Sequence, residues 1–504
     1  VIEAAASGVP VVASGSRTGG GVVVPGETGM LVSDYGVDSI ADAVADLLRD
    51  ADRRQQLGRA ARAHAEENFD PARNARRIES IYDEILPSRE RIPILYVHHR
   101  PQLGGAPSSL AQLIRHLDPR FEPHVFCPEG PAADLFTDAG AIVHTGDVSI
   151  FAHAWDSPYE GLRWLVVGRE LSSLRPHLKQ LNRLMREHRF PLVHLNDSPL
   201  LGAAWVARKH GAKIVWHLRS ALAGEGRDRR SRLIASFMAA YGDAAIAIDR
   251  DVAARFPIRL PIEIVHNSVR PPMPSSEGGK AALGLPEDKV AIGFAGFVRR
   301  QKGWQELVSA AEILVRDGAP AHFVIMGGGV RPPEYFKTWR GRALAITNLL
   351  VDEESAIKDL VAEKGLGAHF SFLPFTAETG EIYNALDIVT FPNQGIGLGR
   401  PVLEAATYGK PVVASGSADG AGVLLPGTTG LLLEDASPQE LAVALRLLID
   451  DPELRHRLGT AAAAHAKEKF DPARNARAVE HLYDQLLGLD APAPAKRPQR
   501  AAVA

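Results

Sequence analysis

The chain has 504 residues, 45% of them apolar and 23% charged, with a net charge of −3. That length accommodates about three domains of 100–200 residues each, and the charge balance leaves no basic excess for a nucleic-acid partner. Cys127 is the only cysteine, which excludes an intrachain disulfide or a cysteine-based metal cluster and fits a reducing compartment; no apolar run is long enough to span a bilayer.

The chain opens with "VIEAAASGVPVVASGS", a near copy of "VLEAATYGKPVVASGS" at Val402–Ser417. A shift of 401 positions aligns the first 87 residues onto the later stretch without a gap, at roughly half of the positions identical. Glu3 falls on Glu404, "PGETG" (Pro25–Gly29) on "PGTTG" (Pro426–Gly430), and "FDPARNAR" recurs verbatim at Phe69–Arg76 and Phe470–Arg477. That period far exceeds the 20–50 residues of a solenoid. Residues 1–88 therefore read as the last part of a second copy, left either by a truncated upstream partner or by a fragment boundary. Lacking the first strands of its own sheet and half of any ligand pocket, the segment is expected to be dispensable.

From Arg91 onward, short runs rich in β-branched residues alternate with helical stripes. The predicted strands are Ile92–His99, Leu192–Asp197, Lys213–Arg219 and Ala244–Asp249, then Val290–Phe297, His322–Gly328, Asp387–Pro392 and Pro411–Ser415. Such runs suit parallel strands buried on both faces. Leu110, Leu113, Ile114 and Leu117 form one helical stripe. The fold class is α/β: two doubly wound, Rossmann-like domains. The Pro/Gly/Ser-rich stretch between Val269 and Glu287 separates residues 91–270 from 271–487, which places a hinge there and a cleft between the sheets. Residues 488–504, rich in Pro and Ala, read as a disordered tail.

Ligands of open α/β sheets bind beyond the carboxyl ends of the strands, and three motifs fall there. Gly104 and Gly105 lie in a turn between a strand and a helix, a candidate phosphate or acceptor loop; the spacing is not the dinucleotide fingerprint, which excludes a nicotinamide enzyme. "GFVRRQKGW" (Gly296–Trp304) places Arg299, Arg300 and Lys302 where they can neutralise a diphosphate, or where they form a solvated turn. "NQGIGLGRPVLEA" (Asn393–Ala405) offers Gly397, Leu398 and Gly399 before a helix opened by Pro401. Free N–H groups at such a helix start bind anions, and Glu404 either accepts from sugar hydroxyls or complements the helix dipole. "DRD" (Asp249–Asp251) imitates a metal motif, but a helix N-cap is the favoured role. The apolar and basic stretch Leu162–Met185 either touches a membrane surface or an acceptor, or packs on the first domain.

Taken in order, Gly104-Gly105, Lys302-Gly303, Glu404, "GKPVVAS" and "PGTTG" resemble the retaining glycosyltransferases of the GT-B fold in family four. The resemblance covers about Arg91–Leu487. It implies transfer of a sugar from a nucleoside diphosphate sugar to a sugar, lipid-linked or small-molecule acceptor, with no cofactor and no metal. It further implies a cytoplasmic enzyme, with the inner membrane face as an option, of the kind that builds cell-envelope polysaccharides. The oligomeric state is left open. By the same resemblance Glu404 binds the donor ribose, Lys302 stabilises the diphosphate, and His217 in "WHLRS" lies near the transferred sugar. The alternative for His217 is a hydrogen-bonded strand end.

Three positions depart from the family pattern. The first Glu of the Glu-x7-Glu motif is Ile396, with Gln394 the nearest substitute; the family Arg after the strand is Phe297, leaving Arg299 or Arg300 to serve; and the "GG-x-PE" loop ends in Gly422. These departures keep open a weakened nucleotide-sugar-binding protein and a GT-B epimerase.

Overall fold

The computed structural model describes residues 1–14, 21–32, 36–70, 74–75, 77–78, 81, 91–150, 164–222, 229–269, 279–296, 298–328, 333–346, 351–374, 376, 379–395, 397–416 and 420–489. Phe297, Ile396, residues 417–419 and the tail fall outside them. The chain divides into two compact units, Val1–Glu90 and Arg91–Ala504.

In the first unit β1 (Val11–Ser14) pairs in parallel with β2 (Gly29–Val32), Val11 opposite Gly29. Helix Ala51–Asn68 buries Leu57, Ala61 and Ala65. No residue of β1 reaches full burial.

The second unit contains two parallel sheets. The first holds β3 (Ile92–Val97), β4 (Phe121–Cys127), β5 (Ile142–Thr145), β6 (Leu192–Leu195), β7 (Lys213–Leu218), β8 (Ala244–Ala247) and β9 (Ile262–Ile264), in the order β5-β4-β3-β6-β7-β8-β9. The second holds β10 (Val290–Ala295), β11 (Ala321–Met326), β12 (Phe370–Leu373), β13 (Ile388–Pro392), β14 (Val412–Ser415) and β15 (Gly430–Leu432), in the order β12-β11-β10-β13-β14-β15. In both, the first strand lies beside the fourth, so the winding reverses between β3 and β6 and between β10 and β13. A crevice opens at such a reversal. Val412 faces Gly430 across β14 and β15, the pairing that Val11 and Gly29 make 401 positions earlier.

All eight predicted strands form, and β6, β8, β11, β13 and β14 are buried along their whole length. Burying one Val, Leu or Ile side chain contributes about 1.5–3 kcal/mol, so these runs hold their sheets with helices on both faces. Helix Trp164–His188 brings Leu181, Leu184 and Met185 into the core of the first sheet, with Leu178 packed at its margin. Over its described side chains, then, the stretch read as a membrane or acceptor surface packs on the first domain. Among the described residues no helix is long and apolar enough to cross a membrane.

The last helix, Pro472–Leu487, follows the second sheet in sequence but packs on the first. Asp471 caps it by accepting from the Arg474 N–H at 2.7 Å, and Gly488 ends it in the left-handed region at φ 70°. Its apolar stripe of Ala476, Val479, Leu482 and Tyr483 joins Ile94, Tyr96, Leu110 and Phe121 of the first domain. The Arg120–Asp484 ion pair, 2.7 Å, and the Asp118 N–H on Glu480, 2.7 Å, fix its end. The grouping of residues 271–487 by sequence thus separates this helix from the sheet it covers.

Candidate active site

On the first sheet, polar side chains gather where β3, β6, β7 and β9 end. His217 is the penultimate residue of β7 and is buried, its Nδ1 2.9 Å from His194 Nε2. His194 Nδ1 in turn lies 2.7 Å from the Tyr483 hydroxyl, which donates to Tyr96 at 3.2 Å. A buried chain of four side chains therefore fixes the His217 ring from the last helix. Burial, with Arg219 and His194 nearby, holds His217 far below the ordinary histidine range, so it is neutral.

Two residues on, Arg219 donates through Nε to Asn196 Oδ1 at 2.8 Å and through an NH group to Asn267 Oδ1. Burial pulls its pKa down to about 9, with Asp197 opposing that fall and Arg400 adding to it. Asn196 also reaches His98 Nδ1 at 3.0 Å. Burial, and next Arg219, drive His98 down to about 3. Asp197 has φ 147°, a conformation that costs about 1–3 kcal/mol; Ser198 N–H and Ser220 Oγ hold its carboxyl, and burial raises its pKa. The Nε2 atoms of His98 and His217 and one NH2 group of Arg219 are buried with no hydrogen-bond partner among the described residues. His217, Arg219, Ser109, Asn267 and Ser268 line a hollow with about 10 Å³ of water-accessible space. Of these groups, those of His217 and Arg219 belong to residues that line the hollow, which has room for about one water molecule.

The second sheet contributes the loops after β10 and β13. Lys302 ends a short turn, Arg300–Lys302, and Gly303 follows in the left-handed region at φ 76°. A Cβ on Gly303 would stand 1.8 Å from the Pro392 carbonyl oxygen, so only glycine lets the two loops meet at the winding reversal. The Lys302 ammonium sits 4.7 Å over the Phe391 ring, and no carboxylate pairs with it among the described residues. Burial, then Arg299, lower its pKa to about 8. Arg299 is half-buried beside it; Arg300 is exposed, its N–H donating to Glu353 at 3.2 Å.

Gly397 takes φ 79°, and its carbonyl accepts from Asn393 at 3.1 Å. Leu398 is buried, and Gly399 caps helix Arg400–Thr407 with Pro401 in its first turn. Glu404, one turn in, is not bare: Oε1 accepts from Arg400 Nε at 2.6 Å and Oε2 from the Tyr383 hydroxyl at 2.9 Å. Each oxygen keeps a second lone pair for a ligand. Gln394 gives its side-chain N–H to Glu306, so its amide is engaged away from the place of the missing first Glu; Ile396 itself lies outside the described residues.

Arg400 bridges the cleft. One NH group reaches Ser109 Oγ at 3.2 Å and the Ser268 carbonyl at 3.4 Å. Gly104 caps helix Gly105–Arg115, and a Cβ on Gly105 would stand 4.0 Å from the Arg400 side chain. The Asp249 carboxylate lies 3.5 Å from where Gly397 would carry a Cβ. Asp249 accepts from the Val252 N–H at 2.7 Å, the N-cap role its sequence favours over metal binding, and burial raises its pKa to about 6. An open groove of about 470 Å³, lined by Asn393, Gln394, Ser415 and Glu434, continues along the ends of β13 to β15.

Arg400 thus ties the Glu404 helix to Ser109 beside the His217 hollow, Gly105 and Asp249 approach Arg400 and Gly397, Lys302 lies over Phe391 at the end of β13, and Arg300 stays exposed. Sequence reasoning missed Arg219, Arg400, Asn196, His98 and Asn267. His98, Asn196 and Arg219 each directly follow the last residue of a strand buried toward its end, and that position is the signal that could have found them.

Comparison with known proteins extends the picture. The family model described as glycosyl transferases group 1 matches residues 1–64 and 276–465, and that of glycosyltransferase family 4 matches residues 103–271. A D-inositol 3-phosphate glycosyltransferase of Corynebacterium urealyticum is 25% identical over 405 residues, 73% of this chain and 89% of that protein. An alpha-D-kanosaminyltransferase of Streptomyces kanamyceticus is 29% identical over 204 residues, 40% of this chain and 46% of that protein. The crystal structure of Anabaena HepE in complex with UDP and glucose superposes with a TM-score of 0.62 at 18% identity, over 78% of this chain and 99% of that one.

Proposed function

Since this chain belongs to the glycosyl transferases group 1 and has the GT-B fold, we propose that it moves a sugar from a nucleoside diphosphate to an acceptor hydroxyl with retained anomeric configuration. The observation that carries this reading is the Lys302 ammonium, which has no carboxylate partner among the described residues and sits at the second winding reversal beside Arg299. In the transfer, the bond between the anomeric carbon and the β-phosphate oxygen breaks, and its electron pair leaves on that oxygen. Lys302, Arg299 and the Arg400 N–H at the start of helix Arg400–Thr407 stabilise the growing charge. The acceptor oxygen bonds to the anomeric carbon from the face the diphosphate leaves, and its proton passes to the departing phosphate oxygen.

The sugar becomes oxocarbenium-like in that step. A cation beside it would raise the barrier, and burial keeps His217 neutral, so its free Nε2 can hydrogen-bond a sugar hydroxyl without adding charge. Glu404 serves the ribose with its remaining lone pairs. On the first-domain side the unpartnered Arg219 NH2 group suits an anionic or polyhydroxylated acceptor. The relative from Corynebacterium urealyticum, named for D-inositol 3-phosphate, supports that choice.

The test is a screen of UDP-, GDP- and ADP-sugars against polyol and sugar phosphates, with mass detection of product and NMR of its anomeric centre. An inverted product refutes retention. Nucleotide binding without turnover on any acceptor would favour the second reading, a nucleotide-sugar-binding protein, which Ile396 at the first Glu position and the diverted Gln394 amide support.

A further inference from the structure

A second cluster of chemistry-bearing side chains lies outside the cleft, on the helix-covered face of the first sheet at its outer edge. His124 stands on β4, His144 on the edge strand β5, and His188 is the last residue of helix Trp164–His188. In the β4–β5 register Phe126 faces His144 and Ile142 faces His124, so the two histidines project from the same face, one step apart along the strands. The helix ends over that spot, and Phe190 closes it with its ring 5.0 Å from His124. One nitrogen from each histidine lies within 4.8 Å of the other two.

Glu122, two residues before His124 and on the same face, holds His124 Nε2 at 3.0 Å. The carboxylate fixes the proton on Nε2 and leaves the Nδ1 lone pair pointing at His144 Nε2, 2.9 Å away. A carboxylate behind one ring nitrogen, with the other nitrogen facing two more imidazoles, is the arrangement that orients a metal-ligating histidine.

We propose that His124, His144 and His188 form a binding site for a divalent transition-metal ion, zinc foremost, with Glu122 supporting His124 and water as the fourth ligand. Zinc–nitrogen bonds of about 2.0–2.1 Å in a tetrahedron place the nitrogens about 3.3 Å apart. His124 and His144 meet that by opening a few tenths of an ångström, and exposed His188 by a change of rotamer. The ion clamps the end of helix Trp164–His188 to the edge strand. The site shares no residue with the cleft, so its role is structural rather than chemical.

The experiment uses the full chain, free of any histidine tag and stripped with chelator. Zinc is titrated by calorimetry, cobalt by its visible spectrum, and thermal melting is followed with and without zinc. Expected are one ion per chain with Kd below about 1 μM, the absorption of tetrahedral cobalt, and a higher Tm. H188A should weaken binding at least about 100-fold, and E122Q about 10–100-fold, with glycosyl transfer unchanged in both. Because His188 is exposed, H188A is expected to fold. No saturable binding, or the same affinity in H188A, would overturn the site and leave a hydrogen-bonded chain from Glu122 to His144.

Discussion

Replacing Lys302 with Met separates two consequences of one charge, and they have opposite signs. The ammonium is half-buried over Phe391, and its pKa falls from 10.5 to about 8 through burial first and Arg299 second. Each pH unit of such a fall corresponds to about 1.4 kcal/mol, so the charged lysine costs the folded chain roughly 3 kcal/mol at pH 7. Partial exposure makes that an upper limit. The folded pKa lies below the unfolded one, so between pH 8 and 10.5 the unfolded chain binds more protons. Stability therefore rises with pH through that window.

Methionine keeps the apolar stem against Phe391 and deletes the charge. K302M should thus be more stable than the parent by about 1–3 kcal/mol at pH 7, with the gain shrinking toward pH 10. Its affinity for the nucleoside diphosphate of the accepted donor should fall about 10–100-fold, the worth of a charged hydrogen bond of about 1.5–3 kcal/mol. Urea unfolding at the two pH values measures the first effect and calorimetry with that nucleoside diphosphate the second. Near pH 8 the parent should also take up about half a proton on binding it, read from buffers of different ionisation enthalpy. A K302M chain that is less stable, or that binds the nucleotide as tightly as the parent, would refute Lys302 as the diphosphate cation.

Glu404→Gln keeps a partner for the Tyr383 hydroxyl and breaks the ion pair with Arg400; donor turnover should fall about tenfold or more, measured as kcat/KM with the accepted nucleotide sugar. Gly303→Ala forces a methyl into the Pro392 carbonyl at φ 76°. Thermal melting should show a loss of at least about 2 kcal/mol, and a wild-type Tm would discredit that close approach. A chain cut to residues 91–504 retains every site residue named above and should keep full turnover; loss of activity or folding would make residues 1–88 a working part of the enzyme.

The strands were legible because each is a local run that must lose water on both faces, whatever its neighbours are. β4 was not: Glu122, Pro123 and His124 interrupt its apolar run, and proline ordinarily argues against a central strand. Lys302-Gly303 and Gly397–Gly399 were legible because each motif lies within a few residues of the strand it follows. Arg219 was not, since its partners Asn196 and Asn267 lie 23 and 48 positions away. Nothing near Glu404 in sequence announces Tyr383, 21 positions earlier.

By itself, then, the sequence determined which segments become buried parallel strands and which strand ends carry glycine-bearing turns, because burial and turn geometry are properties of short stretches. Only the tertiary structure decided which groups meet: Arg400 with Ser109 across 291 positions, the last helix on the first sheet, and Lys302 over Phe391 with no carboxylate beside it among the described residues. Ion pairing and desolvation depend on distances of a few ångströms between groups on different elements. Those distances exist only once the two sheets and the returning helix have packed together.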